Sequence, residues 1–167
     1  MDYENEHDLM ERLVSEWTKE CPDLDAEAMK IVGRIMRLGR RFEKEAAQAL
    51  KPFKLPYTDF DIIATLRRSG PPYEMTPGQL GTAVLLTSGA MTAALDRLES
   101  ANFITRHASQ SDRRVRSARL TQDGQDIAAK AAKARFKAAE DTIRELPASK
   151  RQALANLLLS LSASPGR

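Results

Sequence analysis

Very little in this chain is suited to covalent chemistry or metal binding. It has one cysteine, two histidines and one tryptophan, and aromatic residues make up only 5% of 167 positions. A lone Cys21 excludes an intrachain disulfide and a cysteine-based zinc site. His7 and His107 stand too far apart in sequence to form a local metal motif, so no cofactor is expected. Gly-rich phosphate loops and nucleophile elbows are absent, which argues against an enzyme. No apolar run is long enough to span a bilayer, and the acidic N-terminus is unlike a secretion or transit signal. The expectation is a cytoplasmic protein with no membrane partner.

What is present is alanine, leucine and charge, a composition that favours a mainly helical chain. The formal net charge of +3 is unevenly spread. Residues 1–27 carry ten acids and two bases, a net of −8, whereas the other 140 carry thirteen acids and twenty-four bases, a net of +11. A basic body behind an acidic leader suits a nucleic-acid binder whose N-terminus lies away from the phosphates.

The most informative stretch runs from Thr76 to Thr121. Thr76 and Gln79 have capping-box spacing, and Pro77 sits where a helix needs no amide hydrogen. After Leu80, Val84 and Leu85 the pattern breaks, and Thr87 or Ser88 can cap a second helix. Met91, Ala94, Leu95 and Leu98 recur there at helical spacing and belong in a core. Ser88, Gly89, Thr92, Ala93 and Asp96 fall on the other side, a flat face of small residues that can lie deep in a DNA major groove. An ordinary amphipathic surface helix would show the same pattern. Next, 103–106 and 115–120 read as strands joined by a loop over 107–114. Residues 101–120 hold Arg106, Arg113, Arg114, Arg116 and Arg119 against one acid, Asp112. Two helices at a tight turn followed by an arginine-rich hairpin outline a winged helix-turn-helix, with Thr76, Ser88, Gly89, Thr92, Arg113, Arg114 and Arg116 as expected DNA contacts.

Around this reader, residues 8–20 read as a helix bearing Trp17, and Asp25 caps a long helix reaching about Lys51. Its stripe of Met29, Val32, Ile35, Met36, Leu38 and Phe42 is wide enough to involve a second subunit. Thr58 is expected to cap a helix with Phe60, Ile63, Ala64 and Leu66 in the core. Thr121 and Gly124 open an alanine-rich helix to about Leu146, and a last helix spans Ala148 to Ser162, leaving a frayed tail from Ser164. One domain is expected, with 1–51 as N-terminal and dimerisation helices, 52–121 as the winged helix-turn-helix and 122–167 as C-terminal dimerisation helices. A symmetric pair would match a palindromic operator.

This order of parts resembles the MarR family of transcriptional regulators. The resemblance rests on Thr58-Asp59-Phe60-Asp61, Leu86 to Thr92, Asp96-Arg97-Leu98-Glu99, Asp112-Arg113-Arg114 and Leu120 to Gly124. It implies that Asp112 braces the wing and Arg114 enters the minor groove. The leader Trp17…Pro22-Asp23-Leu24-Asp25, with Asp61, Arg68 and Arg97, is similar to the urate-responsive, PecS-like branch, which implies a ligand site formed by Trp17, Asp61, Arg68 and Arg97. Asp61 and Arg68 are seven apart and share a helix face, with Arg97 on the recognition helix. Read without the family, Asp61 could equally form a structural ion pair with Arg97 or Arg68, and Trp17 could be core. Ala93-Ala94 replaces an Asn-Arg pair of many relatives, which shifts selectivity toward the wing and DNA shape. Asn102 replaces a glycine and tolerates the same left-handed backbone. The function expected is a homodimeric repressor released from DNA by a small anionic effector such as urate. The alternatives are a redox switch at Cys21, disfavoured by neighbouring Glu20 and Asp23, and a winged-helix protein-interaction module.

Overall fold

The computed structural model describes residues 4–84, 86–108 and 116–163. Among these described residues are seven α-helices and a small three-stranded antiparallel sheet, the mainly α fold with a β wing that the pattern implies. Two compact units make up the chain, Met1–Glu45 and Ala46–Arg167. Helix α1 covers Glu4–Glu20 and begins earlier than the apolar spacing alone suggests. Helix α2 covers Ala26–Leu50, and the Asp25 carboxylate accepts from the Ala28 amide at 3.0 Å, as a capping aspartate should.

Helix α3, Tyr57–Arg68, starts differently from expectation. Thr58 lies inside the helix and does not cap it. Pro56, with φ −55° and ψ 150°, occupies the capping position, and its carbonyl accepts from the Phe60 amide at 3.0 Å. The fixed proline φ sets the chain direction one residue before the first turn. Strand β1, Glu74–Met75, precedes α4, Pro77–Val84, where the capping box forms as expected. The Thr76 amide donates to Gln79 Oε1 at 2.8 Å, and the Gln79 amide donates to Thr76 Oγ1 at 3.3 Å. Thr87 then caps α5, Ser88–Ser100, accepting from the Ala90 amide at 3.4 Å.

Two strands form the base of the wing, β2 at Ile104–Ala108 and β3 at Arg116–Leu120. They pair from Ile104 opposite Leu120 to Ala108 opposite Arg116. Val115, expected in the second strand, lies outside the described residues, as do Leu85 and the tail from Ser164. The sheet order is β1-β3-β2, with Glu74 opposite Arg119. The two-residue β1 has no pattern of its own to read in sequence. Asn102 takes φ 60° between α5 and β2, the left-handed turn expected of it.

Helix α6 spans Gln122–Thr142 and stops there rather than near Leu146; residues 143–146 form turns before Pro147 caps α7, Ala148–Ser162. The core of the second unit gathers Ile62, Ile63 and Leu66 of α3, Leu80 of α4, Met91, Ala94, Leu95 and Leu98 of α5, Ile104, Leu120, and Ala128 and Ala131 of α6. Buried alanines on α6 let it approach α3 closely, and these two helices pack against each other. Thr121 caps α6 by accepting from the Gly124 amide at 2.9 Å. Gly124 has no room for a side chain, because a Cβ there would overlap the Phe103 carbonyl. Among the described residues, no helix is long and apolar enough to cross a membrane. Substituting Gly124→Ala forces backbone apart at the joint of α6 and the wing and should lower stability by about 1–3 kcal/mol, read as a drop in thermal midpoint.

Candidate nucleic-acid interface and effector site

The rotation of α5 about its axis decides what it shows to solvent. Met91, Ala94, Leu95 and Leu98 are all buried, at 0–3% exposure. Burying side chains of the size of leucine or methionine contributes about 1.5–3 kcal/mol each, enough to hold the helix in one orientation. Ser88, Gly89, Thr92, Ala93 and Asp96 consequently face outward. The Thr92 hydroxyl donates back to the Ser88 carbonyl at 3.1 Å, which keeps the outer face low and smooth. Thr76, half-buried, has its hydroxyl engaged in the capping box of α4.

At the wing, Arg116 is exposed at the start of β3. Asp112, Arg113 and Arg114 lie outside the described residues. Two other arginines counted with the wing are tied inward. Arg119 Nε pairs with Glu74 Oε2 at 3.2 Å, and the same glutamate accepts from the Ser117 hydroxyl. Arg106 pairs with Asp96 and Glu99 of α5, at 2.5 Å and 3.3 Å. Counting charges along the hairpin missed these partners because the acids sit on α5 and β1.

The four residues of the expected ligand set are placed as follows. Asp61 and Arg68 both lie on α3, the former half-buried and the latter exposed. Burial pushes the Asp61 carboxyl above the usual carboxylate range, and the Arg68 guanidinium partly offsets this. Arg97 on α5 is held by a different acid. Its Nε donates to Asp59 Oδ2 at 3.0 Å and its Nη2 to Asp59 Oδ1 at 2.5 Å, a two-pronged pair. The hydrogen bonds it donates to the Asp59 carboxylate raise the Arg97 pKa above its ordinary value. The structural ion pair of Arg97 is thus with Asp59, not with Asp61.

Asp59 is the residue that sequence reasoning missed. It is 3% exposed, and it sits at helical spacing with Ile62, Ile63 and Leu66, all of them fully buried. A carboxylate in register with a core stripe must find a cation, and that spacing was the available signal. Trp17, in the first unit, is 55% exposed and borders an apolar cavity of about 480 Å³ between α1 and the start of α2, with Met10, Leu13, Leu24 and Met29. Expected to face an apolar environment, the indole does so on one side only. Cys21 is a half-buried free thiol in the turn after α1, its amide donating to the Trp17 carbonyl at 2.8 Å.

The MarR family model matches residues 55–115, from the residue before Pro56 to the wing. The transcriptional regulator PecS of Dickeya dadantii (strain 3937) is 37% identical over 112 residues, which are 67% of this chain and 68% of that protein. The chain belongs to the MarR family. Among solved structures, the MarR-family regulator AbsC of Streptomyces coelicolor aligns with a TM-score of 0.75 at 23% identity, covering 83% of this chain and 94% of that one. Sco3205 of the same organism, solved in complex with DNA, aligns with a TM-score of 0.75 at 18% identity, covering 86% and 91%. Those likenesses concern the fold. Family membership makes this chain a DNA-binding transcriptional regulator rather than an enzyme.

In a MarR-family reader whose α5 is tied to α3 by one forked pair, loss of the acid is informative. Asp59→Asn removes the charge and leaves Arg97 half-exposed, so the cost should be that of charged hydrogen bonds, about 1.5–3 kcal/mol. Chemical denaturation should show the midpoint shifted down with an unchanged slope; an unaltered midpoint would mean that the fork does not hold α5.

Proposed function

We propose that the chain acts as a homodimeric repressor whose two α5 helices and wings grip a palindromic operator, and that a small planar anion of the urate type releases it. The dimer is supported by the apolar surface that a single chain leaves open. Helix α7 buries no residue within its own chain and exposes Leu154, Leu157, Leu158, Leu159 and Leu161. A helix of this kind needs a partner surface, and a second copy supplies an identical one by two-fold symmetry. On α2, Met29, Val32 and Met36 are also half-exposed.

The DNA contacts proposed are Ser88, Gly89 and Thr92 on the outer face of α5, Thr76 before α4, and Arg113, Arg114 and Arg116 on the wing, with Asp112 bracing it. For the effector, the observation that carries the reading is the Asp59–Arg97 fork. An anion that recruits Arg97 competes directly with the Asp59 carboxylate. Drawing Arg97 away moves the helix that carries the DNA face, so effector and operator oppose each other through one side chain. Arg68 supplies a second guanidinium, and the resemblance to the urate-responsive branch adds Trp17 to the set.

Asp61 gives the effector step a pH signature. Its raised pKa means the folded chain binds this proton more tightly than the unfolded chain does. Its contribution to stability is therefore present at low pH and lost as pH rises through the raised value. An anion bound beside Asp61 raises that value further, so effector binding takes up a proton and strengthens as pH falls.

Gel-shift titration tests the proposal, with a duplex selected from a randomised library by the wild-type chain as probe. Urate should release it, with less urate needed at pH 6 than at pH 8. Arg68→Ala and Arg97→Ala should each raise the urate requirement about tenfold or more, and Asp61→Asn should flatten the pH dependence. Indifference to urate at both pH values would remove the effector half, and sedimentation as a monomer would remove the dimer.

A further inference from the structure

The recognition helix of this DNA reader carries two acids on its outward side, Asp96 and Glu99, an arrangement that should repel phosphates. The structure shows where their charge is directed. Asp96 and Glu99 are three apart on α5 and therefore share a face. Both point at Arg106, on β2 at the base of the wing. Arg106 Nη2 donates to Asp96 Oδ1 at 2.5 Å, and its Nε lies 3.3 Å from Glu99 Oε2. The Arg106 side chain is only 19% exposed, whereas those of Asp96 and Glu99 are 60% and 45% exposed. One guanidinium is thus enclosed between the C-terminal half of α5 and the first wing strand, and the left-handed turn at Asn102 brings the two elements back toward each other.

We propose that Arg106 is a positioning residue for operator recognition: it clamps the base of the wing to α5 through Asp96 and Glu99, so that helix and wing meet DNA as one rigid reader rather than as two independently moving parts. Operator recognition requires the major-groove helix and the minor-groove hairpin to be in register on the same duplex. Loosening their connection lowers discrimination, because each element can still find phosphates but the two no longer fit one site together. The outward acids belong to the clamp, where Arg106 offsets one of their two negative charges and draws both toward the base of the wing. Arg106 itself makes no phosphate contact, which separates it from the exposed Arg116 at the start of β3.

The test compares the full-length chain with two variants on two probes. The probes are the duplex selected by the wild-type chain and a scrambled duplex of the same length and composition. For Arg106→Gln, the ratio of affinities for the two duplexes should fall about tenfold, while the slope of log affinity against log salt stays unchanged. The double variant Asp96→Asn/Glu99→Gln keeps Arg106 and makes the reader more positive. Its affinity ratio should nonetheless fall by a similar factor, even if binding to the scrambled duplex tightens. Because both acids are exposed, that variant folds and decides the matter should Arg106→Gln fail to fold. The proposal is overturned if Arg106→Gln weakens both duplexes equally with a salt slope lower by about one per protomer, the mark of a lost phosphate contact. It is equally overturned if the double variant leaves the ratio unchanged or raises it.

Discussion

Everything outward in this reader depends on how α5 is held inward. A recognition helix with few side chains capable of hydrogen-bonding bases cannot rely on long flexible groups to correct a misplacement. In the DNA contact proposed for it, its small outer face must arrive in the groove at the right rotation and depth. The apolar stripe from Met91 to Leu98 fixes the rotation, and the Arg97–Asp59 fork ties the last turns to α3. Asp59 is the only one of the two partners that is fully withdrawn from water. The energetic asymmetry follows: leaving the buried carboxylate without a cation is costly, while the half-exposed guanidinium can find other anions. That asymmetry makes the fork a firm attachment and, for the proposed effector, the point where force can be applied.

The same logic of pairing reorganises the charge of the wing. Read along the chain, residues 101–120 are five arginines facing one acid. In three dimensions Arg119 answers Glu74 and Arg106 answers Asp96 and Glu99, so part of the positive charge builds the scaffold and only part remains to meet DNA. Net charge along a segment is a sound guide to the class of partner. It does not tell which cations are available, because the balancing acids come from elements distant in sequence or from the neighbouring helix face.

Much of the reader was legible from local signals. The Thr76–Gln79 box, the Thr87 cap, the Met91–Leu98 stripe and the Asn102 turn each depend on residues within one or two turns of each other, and all appear where the pattern puts them. The misses share a non-local origin. Strand β1 is two residues long and exists only because β3 lies beside it. Thr58 has the chemistry of a cap, but Pro56 had already set the start of α3. Of the effector set, the placement of Asp61 and Arg68 on α3 follows from spacing, whereas the preference of Arg97 for Asp59 depended on which of two nearby acids is turned into the core. Spacing with Ile62, Ile63 and Leu66 distinguishes them, since Asp59 falls in that register and Asp61 falls beside it.

The outer face of α5 as the DNA surface is the claim on which the rest stands, and a single charge placed there examines it. Thr92→Glu puts a carboxylate on an exposed position whose hydroxyl bonds only to the helix backbone, so folding should be retained and is checked by an unchanged thermal midpoint. Affinity for the duplex selected by the wild-type chain is the measurement. A carboxylate set against phosphates and base edges should weaken binding about a hundredfold or more. Undiminished affinity in a normally folded variant would contradict the placement of α5 in the groove.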